Sequence, residues 1–287
     1  MTKQPLTLLA VHAHPDDEAF SMGGTYAKAA AVGIHTVLIC ATRGDVGEIH
    51  DPDLDPLEAQ ARLAAIREGE LRQACAILGI AELHFLGYRD SGMAGTPEND
   101  DRRNFHNADQ EEATERVTRL IRQCRPHVVV TYNEHGGYGH PDHIAAHRTT
   151  LAAVAAAADP ARFPEQELPA WDVAKLYYTA FPRSALERLG AALRERGIAP
   201  PFGGEERDPA DFTVPDAQVT TRVDVRDYLT QKRDALSVHR TQLGVDHFAL
   251  TLPEEVIRET FGFEAYTRVQ SRVPAPETED SLFAGLV

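Results

Sequence analysis

"LTLLAVHAHPDDEAFSMGG", residues 6–24, holds the reading on which the fold turns. Its first part, "LTLLAVHA" (6–13), is a short, nearly continuous apolar run, the pattern of a strand covered on both faces. The polar cluster "HPDDE" interrupts it, and "EAFSMGGTYAKAAAVG" (18–33) then reads as a helix ending near Gly33. Strand, polar turn and helix together make one βα unit.

Outward from this unit the pattern repeats. "HTVLICAT" (35–42) reads as a strand, 56–79 as a long helix with Pro near its start and Gly at its end, and "ELHFLG" (82–87) as a third strand. A polar loop spans 88–107. A helix at 111–124, the strand "HVVVTY" (127–132) and an Ala-rich helix at 142–158 follow.

The second half is fainter. It offers a strand at 174–181, a helix at 183–196, a strand at 218–223, a helix around 226–239 and a late strand at 263–269. The expected fold is α/β: a Rossmann-like, mostly parallel sheet with helices on both faces and a smaller carboxyl-terminal extension. Residues 1–273 are expected to form a single domain, with 159–170 and 197–217 as excursions from it. Residues 274–287 are expected to be a frayed tail.

At 287 residues, 43% hydrophobic and 25% charged, the chain has the means to bury a substantial core. No apolar window is long enough to span a bilayer and the start does not resemble a secretory leader, so a cytoplasmic protein without a membrane partner is expected. A formal net charge of −15 argues against a nucleic-acid partner, which would need phosphate-neutralising cations. The three cysteines, Cys40, Cys75 and Cys124, are widely spaced and form no CxxC, which argues against a disulfide framework or a zinc–thiolate motif.

In an open parallel sheet, ligands bind beyond the carboxyl ends of the strands. "HPDDE", "TRGDVGE" (42–48), "GYRDSG" (87–92) and "NEHGGYGHPDH" (133–143) each follow one of the first four strands, so all four clusters fall on that edge. His14 and Asp17, three apart where a helix begins, can present an imidazole nitrogen and a carboxylate oxygen, a normal pair of zinc ligands. Asp16 then projects differently, as a free carboxylate.

A helix cap accounts for one aspartate, but requires neither His14 nor the second aspartate. His12, inside the strand, reads as a core or supporting residue. A catalytic zinc usually has three protein ligands, and spacing allows the third to be His140, His143 or His147.

"AHPDDE" together with "GGYGHPDH" resembles the zinc-dependent N-acetylglucosaminyl deacetylases of the PIG-L/LmbE-like family, above all the branch serving mycothiol and bacillithiol synthesis. "YRDSGMAGT" (88–96), "KRDALSVHRTQ" (232–242) and "FGFEAYTRV" (261–269) extend the likeness over most of the chain. The resemblance implies one Zn2+ per chain, with Fe2+ as an alternative, on His14, Asp17 and His143.

It also implies Asp16 as general base, His140 as an imidazolium facing the oxyanion and oriented by Asp142, and Tyr138 polarising the amide carbonyl. Arg67, Asp90 and His239 match substrate-binding positions. The roles are chemically coherent. Zinc lowers the pKa of its water from about 15.7 toward about 7, and a carboxylate can carry the released proton to the departing amine.

The implied partner is a small aminosugar conjugate, inositol- or malate-linked. Two other readings compete. One is an amidase acting on thiol S-conjugates, a sister branch that carries a lysine where this chain has Ser21. The other is a non-catalytic sugar-binding module, against which the spare carboxylate of Asp16 weighs.

Overall fold

The strand read at 6–13 is β1, Thr7–His12, at the centre of a seven-stranded sheet. The computed structural model describes residues 5–197 and 208–286. The apolar run of β1 serves two cores. Leu8 and Ala10 face a core with Tyr26, Leu71 and Leu236, while Leu9 and Val11 face another with Val117, Ile121 and Ala146. Burial on both faces is why the run is continuous rather than alternating.

Helix α1 (Asp17–Ala31) follows β1, then β2 (His35–Thr42), α2 (Pro56–Gln60), α3 (Leu63–Leu78), β3 (Glu82–Tyr88), α4 (Gln110–Cys124) and β4 (Val128–Thr131). A four-residue turn of helix, α5 (Gly136–Gly139), leads into α6 (Pro141–Ala158), β5 (Lys175–Ala180) and α7 (Arg183–Glu195). The chain continues through β6 (Thr221–Asp224), α8 (Leu229–Val238), α9 (Arg240–Leu243), α10 (Phe248–Thr251), α11 (Glu254–Phe261) and β7 (Phe263–Ser271).

The strand order is β3-β2-β1-β4-β5-β7-β6. The first five are parallel, with Leu8 opposite Thr36 on one side and Val128 on the other, whereas β7 runs antiparallel to both β5 and β6. The order reverses between β1 and β4. Loops leaving those two strands diverge to opposite faces and open a crevice at the carboxyl edge.

Several expectations need correction. The helix read as continuous over 56–79 breaks at Ala61–Arg62, where Arg62 leaves helical geometry (φ −126°, ψ 14°). Neither residue is a helix breaker by propensity, so the break is imposed by tertiary packing. The tail expected to fray after Pro274 is held instead: Glu279 bonds to Tyr177 and Thr221 and pairs with Lys175, and Leu282 and Phe283 join the core. Residues 198–207, nearly half of the 197–217 excursion, lie outside the described residues. No helix among the described residues is long and apolar enough to cross a membrane.

Candidate active site and metal centre

The crevice between β1 and β4 brings together the two halves of the site. From the β1 side come His14 and Asp17; from the β4 side come His140 and His143, at and just inside the start of α6. His14 Nδ1 lies 3.3 Å from His143 Nε2 and 3.6 Å from Asp17 Oδ2, and Asp17 Oδ1 lies 3.4 Å from His143 Nε2. Ligands about 2.0–2.1 Å from a tetrahedral ion sit roughly 3.3 Å apart, so this spacing fits a divalent cation.

The groups behind these atoms leave the right lone pairs free. His143 Nδ1 donates to the Gly136 carbonyl (3.1 Å), so its Nε2 is the unprotonated nitrogen. His14 Nε2 donates to Asp142 Oδ2 (3.2 Å), with Asp90 Oδ1 at 3.4 Å, which turns Nδ1 toward the cluster. Asp17 Oδ2 accepts from the Tyr132 hydroxyl (2.8 Å) and the His14 amide (2.9 Å), leaving Oδ1 facing His143. Such outer contacts fix the orientation and tautomer of metal ligands.

The electrostatics favour a cation. Burial opposes charge on His14, but Asp90, Asp142 and Asp17 outweigh it and raise its pKa well above the ordinary value. Burial likewise pushes Asp17 up, yet His143 and His14 hold it well below the usual carboxylate range. The same carboxylates that retain a proton here would attract a metal in its place.

Asp16 occupies a strained backbone position at φ +117°. Its carbonyl accepts from Ala19 and Phe20, its amide donates to Glu18 Oε2 (3.0 Å), and Arg67 clamps the preceding Pro15 carbonyl (2.7 Å). The turn is thereby over-determined. Burial, with Asp17 adding to it against the opposing Arg67, raises the Asp16 carboxyl to about 6.

The glycines of α5 are there for backbone reasons. Gly136 has φ +65°, and a Cβ on it would come within 2.8 Å of His143 Cβ and 2.9 Å of the Ile144 nitrogen. The turn carries Tyr138, 45% exposed, with its ring centroid 4.9 Å from that of His143 and 6.1 Å from that of His140. Tyr138 thus stands at the mouth of the site, above the histidines.

The surroundings of four residues differ from what was expected of them. Arg67, expected to meet the sugar, is buried and bonds to Asp16 Oδ2 (3.3 Å) and to the carbonyls of Pro15 and Gly44, so it holds the general-base candidate. Asp142 does not orient His140 through its carboxylate. Oδ2 serves His14 and the Ser91 amide, and only the Asp142 backbone N–H reaches His140 Nδ1 (3.1 Å), as a helix cap.

The surroundings of His140 disfavour the expected imidazolium. Its Nδ1 accepts that bond, and burial with the neighbouring His14 and His143 lowers its pKa to about 2. His239 is fully buried against Glu18 (2.8 Å) and supports the Asp16 turn from behind, out of a substrate's reach. Asp90 is at the site, but it faces His14 and accepts from the Gly92 amide. His147 bonds to the Tyr132 carbonyl and is the histidine left outside the cluster.

Sequence reasoning missed Tyr132, which it took for the end of an apolar strand. Its hydroxyl joins Asp17, His12 and the Ala13 amide. The available signal was its place just past the carboxyl end of β4, four residues before the first glycine of the turn.

The family described as GlcNAc-PI de-N-acetylase (PIG-L) matches residues 9–154. A 1D-myo-inositol 2-acetamido-2-deoxy-alpha-D-glucopyranoside deacetylase of Geodermatophilus obscurus is 46% identical over 287 residues, covering 97% of each chain. The N,N'-diacetylchitobiose deacetylase of Pyrococcus horikoshii has the same fold (TM-score 0.61, 20% identity, 93% of this chain and 85% of that one). So does the 4-carboxy-2-hydroxymuconate hydratase GalB of Pseudomonas putida (TM-score 0.58, 18% identity, 94% of this chain and 99% of that one), so the fold alone does not determine the chemistry.

Proposed function

The chain belongs to the PIG-L family, and on that premise we propose that it is a metal-dependent deacetylase. It removes acetate from an inositol-linked N-acetylglucosaminyl conjugate, a step toward a mycothiol-type thiol. The observation that carries this reading is the approach of His14 Nδ1 to His143 Nε2 (3.3 Å), each also near the Asp17 carboxylate (3.6 Å to Oδ2 and 3.4 Å to Oδ1), beside the separate carboxylate of Asp16. The malate-linked alternative yields to the inositol-linked substrate named for the 46% identical relative.

His14, Asp17 and His143 would hold the ion, which we take to be zinc. When bound, it supplies the acidity that makes water nucleophilic at neutral pH and draws charge from the amide carbonyl. Asp16 accepts the proton that water gives up as its oxygen attacks the carbonyl carbon. Asp16 then returns the proton to the nitrogen as the C–N bond breaks, so acetate and a free amine leave. A raised carboxyl pKa suits a group that must both take and give a proton.

His140, whose Nδ1 accepts the Asp142 amide, carries its proton on Nε2 and acts as a neutral donor to the developing oxyanion. Arg67 holds Asp16 in place, and Tyr138 closes over the substrate from the glycine turn. Asp90 and Asp142 keep the His14 lone pair aimed at the ion.

The test is acetate release by the zinc-loaded protein from inositol-linked N-acetylglucosamine, with malate-linked and S-conjugated analogues alongside. The inositol conjugate should turn over fastest; no acetate from any N-acetylglucosaminyl conjugate would reject the assignment. Asp16→Asn should retain one zinc per chain at this site and lose roughly 10²–10⁴-fold in kcat. Near-normal turnover by that variant would refute the base.

A further inference from the structure

At the amino-terminal edge of the sheet, opposite the hydrolytic site, lies a cluster that the reaction does not use. His35 is the first residue of β2 and Glu82 the first of β3. In the parallel register Val37 faces Glu82 and Ile39 faces His84, so His35, Glu82 and His84 share one face of the sheet. Helix α4 covers that face and ends on Cys124. Glu82 Oε1 is 2.7 Å from His35 Nε2; its Oε2 is 3.1 Å from His84 Nε2 and 3.9 Å from Cys124 Sγ. One ligand atom each from Glu82, His84 and Cys124 lies within 4.8 Å of the other two.

We propose that Glu82, His84 and Cys124 form a second cation site, separate from the hydrolytic one, for a borderline-soft divalent ion such as Zn2+. A thiolate, an imidazole and a carboxylate select zinc and its transition-metal neighbours over magnesium or calcium, which prefer all-oxygen shells. His35 steadies the carboxylate through Oε1, leaving Oε2 for the ion. The side chains of Glu82 and His84 are 41% and 32% exposed, so an ion can enter from solvent and keep a water in the fourth position.

Burial and the charge of Glu82 push the Cys124 thiol up to about 11, so the metal-free cluster holds a thiol at neutral pH. Binding releases that proton and requires His84 to carry its remaining proton on Nδ1. A bound ion would tie the carboxyl end of α4 to the exposed edge strand β3.

Cobalt(II) titration of the intact protein tests this directly, because His14, Asp17 and His143 include no sulfur. A thiolate-to-cobalt charge-transfer band should appear in the near ultraviolet and saturate with one more equivalent than Cys124→Ser binds. Cys124→Ser should lack the band but retain the visible cobalt absorption of the first site, which reports a folded protein. His84→Ala and Glu82→Gln should keep the band but weaken it, with an apparent Kd raised at least roughly tenfold. No band at saturating cobalt, or a band that survives in Cys124→Ser, would overturn the proposal.

Discussion

Tyr132 shows how much one hydroxyl can organise. It donates to Asp17 Oδ2 and accepts from the Ala13 amide, joining the end of β1 to the proposed metal ligand. Tyr132→Phe keeps the ring stacked on His143, 4.1 Å between centroids, and removes only the oxygen. It leaves a buried amide unpaired and a carboxylate oxygen short of one donor. The expected cost is about 1–3 kcal/mol in stability and roughly 10–100-fold in zinc affinity, read by denaturant titration and competition with a chelator. An unchanged metal Kd would show that Asp17 is held adequately without it. His143→Ala should lose the metal outright, whereas His140→Ala should keep it and lose mainly kcat; exchanged behaviour would move the third ligand to His140.

Among the elements, α5 is the short turn on which the site hangs. The Gly136 carbonyl fixes the His143 tautomer, and its own α-carbon has no room for a methyl group. Gly139, also at positive φ (+89°), has nothing within 4 Å of a built Cβ. Gly136→Ala therefore combines the left-handed cost of about 1–2 kcal/mol with a clash that shifts the carbonyl, whereas Gly139→Ala bears the first alone. Tm and zinc Kd should both suffer more in Gly136→Ala; equal effects would show that the turn absorbs the clash. The strands and helices of the first half were legible because their periodicities are local, and so were the four polar clusters, because a parallel sheet sends successive strand ends to one edge. The roles of Arg67 and His239 were not legible, since each depends on a partner distant in sequence, 51 and 221 residues away. The antiparallel return of β7 and the short helices over 240–261 were equally hidden. Strand direction depends on the connection, and runs of four to eight residues carry too little periodicity to be read.

For the whole molecule, the tail acts as a clasp over the end of the sheet where the parallel strand β5 meets the antiparallel β7 and β6. Glu279 meets Lys175 on β5, Thr221 on β6 and Arg268 on β7, so three strands share one buried carboxylate, while its backbone pairs with Thr220 and Arg222. Burial raises the Glu279 pKa, but Lys175, Tyr177 and Thr221 outweigh it and hold the carboxyl below its ordinary value. A carboxyl depressed in the folded state contributes stability above its unfolded pKa, about 4.3, and loses it as pH falls through the folded value. Glu279→Gln removes the charge and leaves the buried Lys175 ammonium without its partner. At pH 7 the variant should be less stable by about 3–5 kcal/mol. Below about pH 4 the gap should narrow, because the wild-type carboxyl is then taking up its own proton. Using the difference between the two proteins matters here, since acid also strips metal from the site and titrates other carboxylates, and those losses are common to both. Denaturant midpoints measured from pH 7 downward decide the point. A gap that stays constant into acid would mean that the clasp works by shape and hydrogen bonding, with the charge pair contributing nothing.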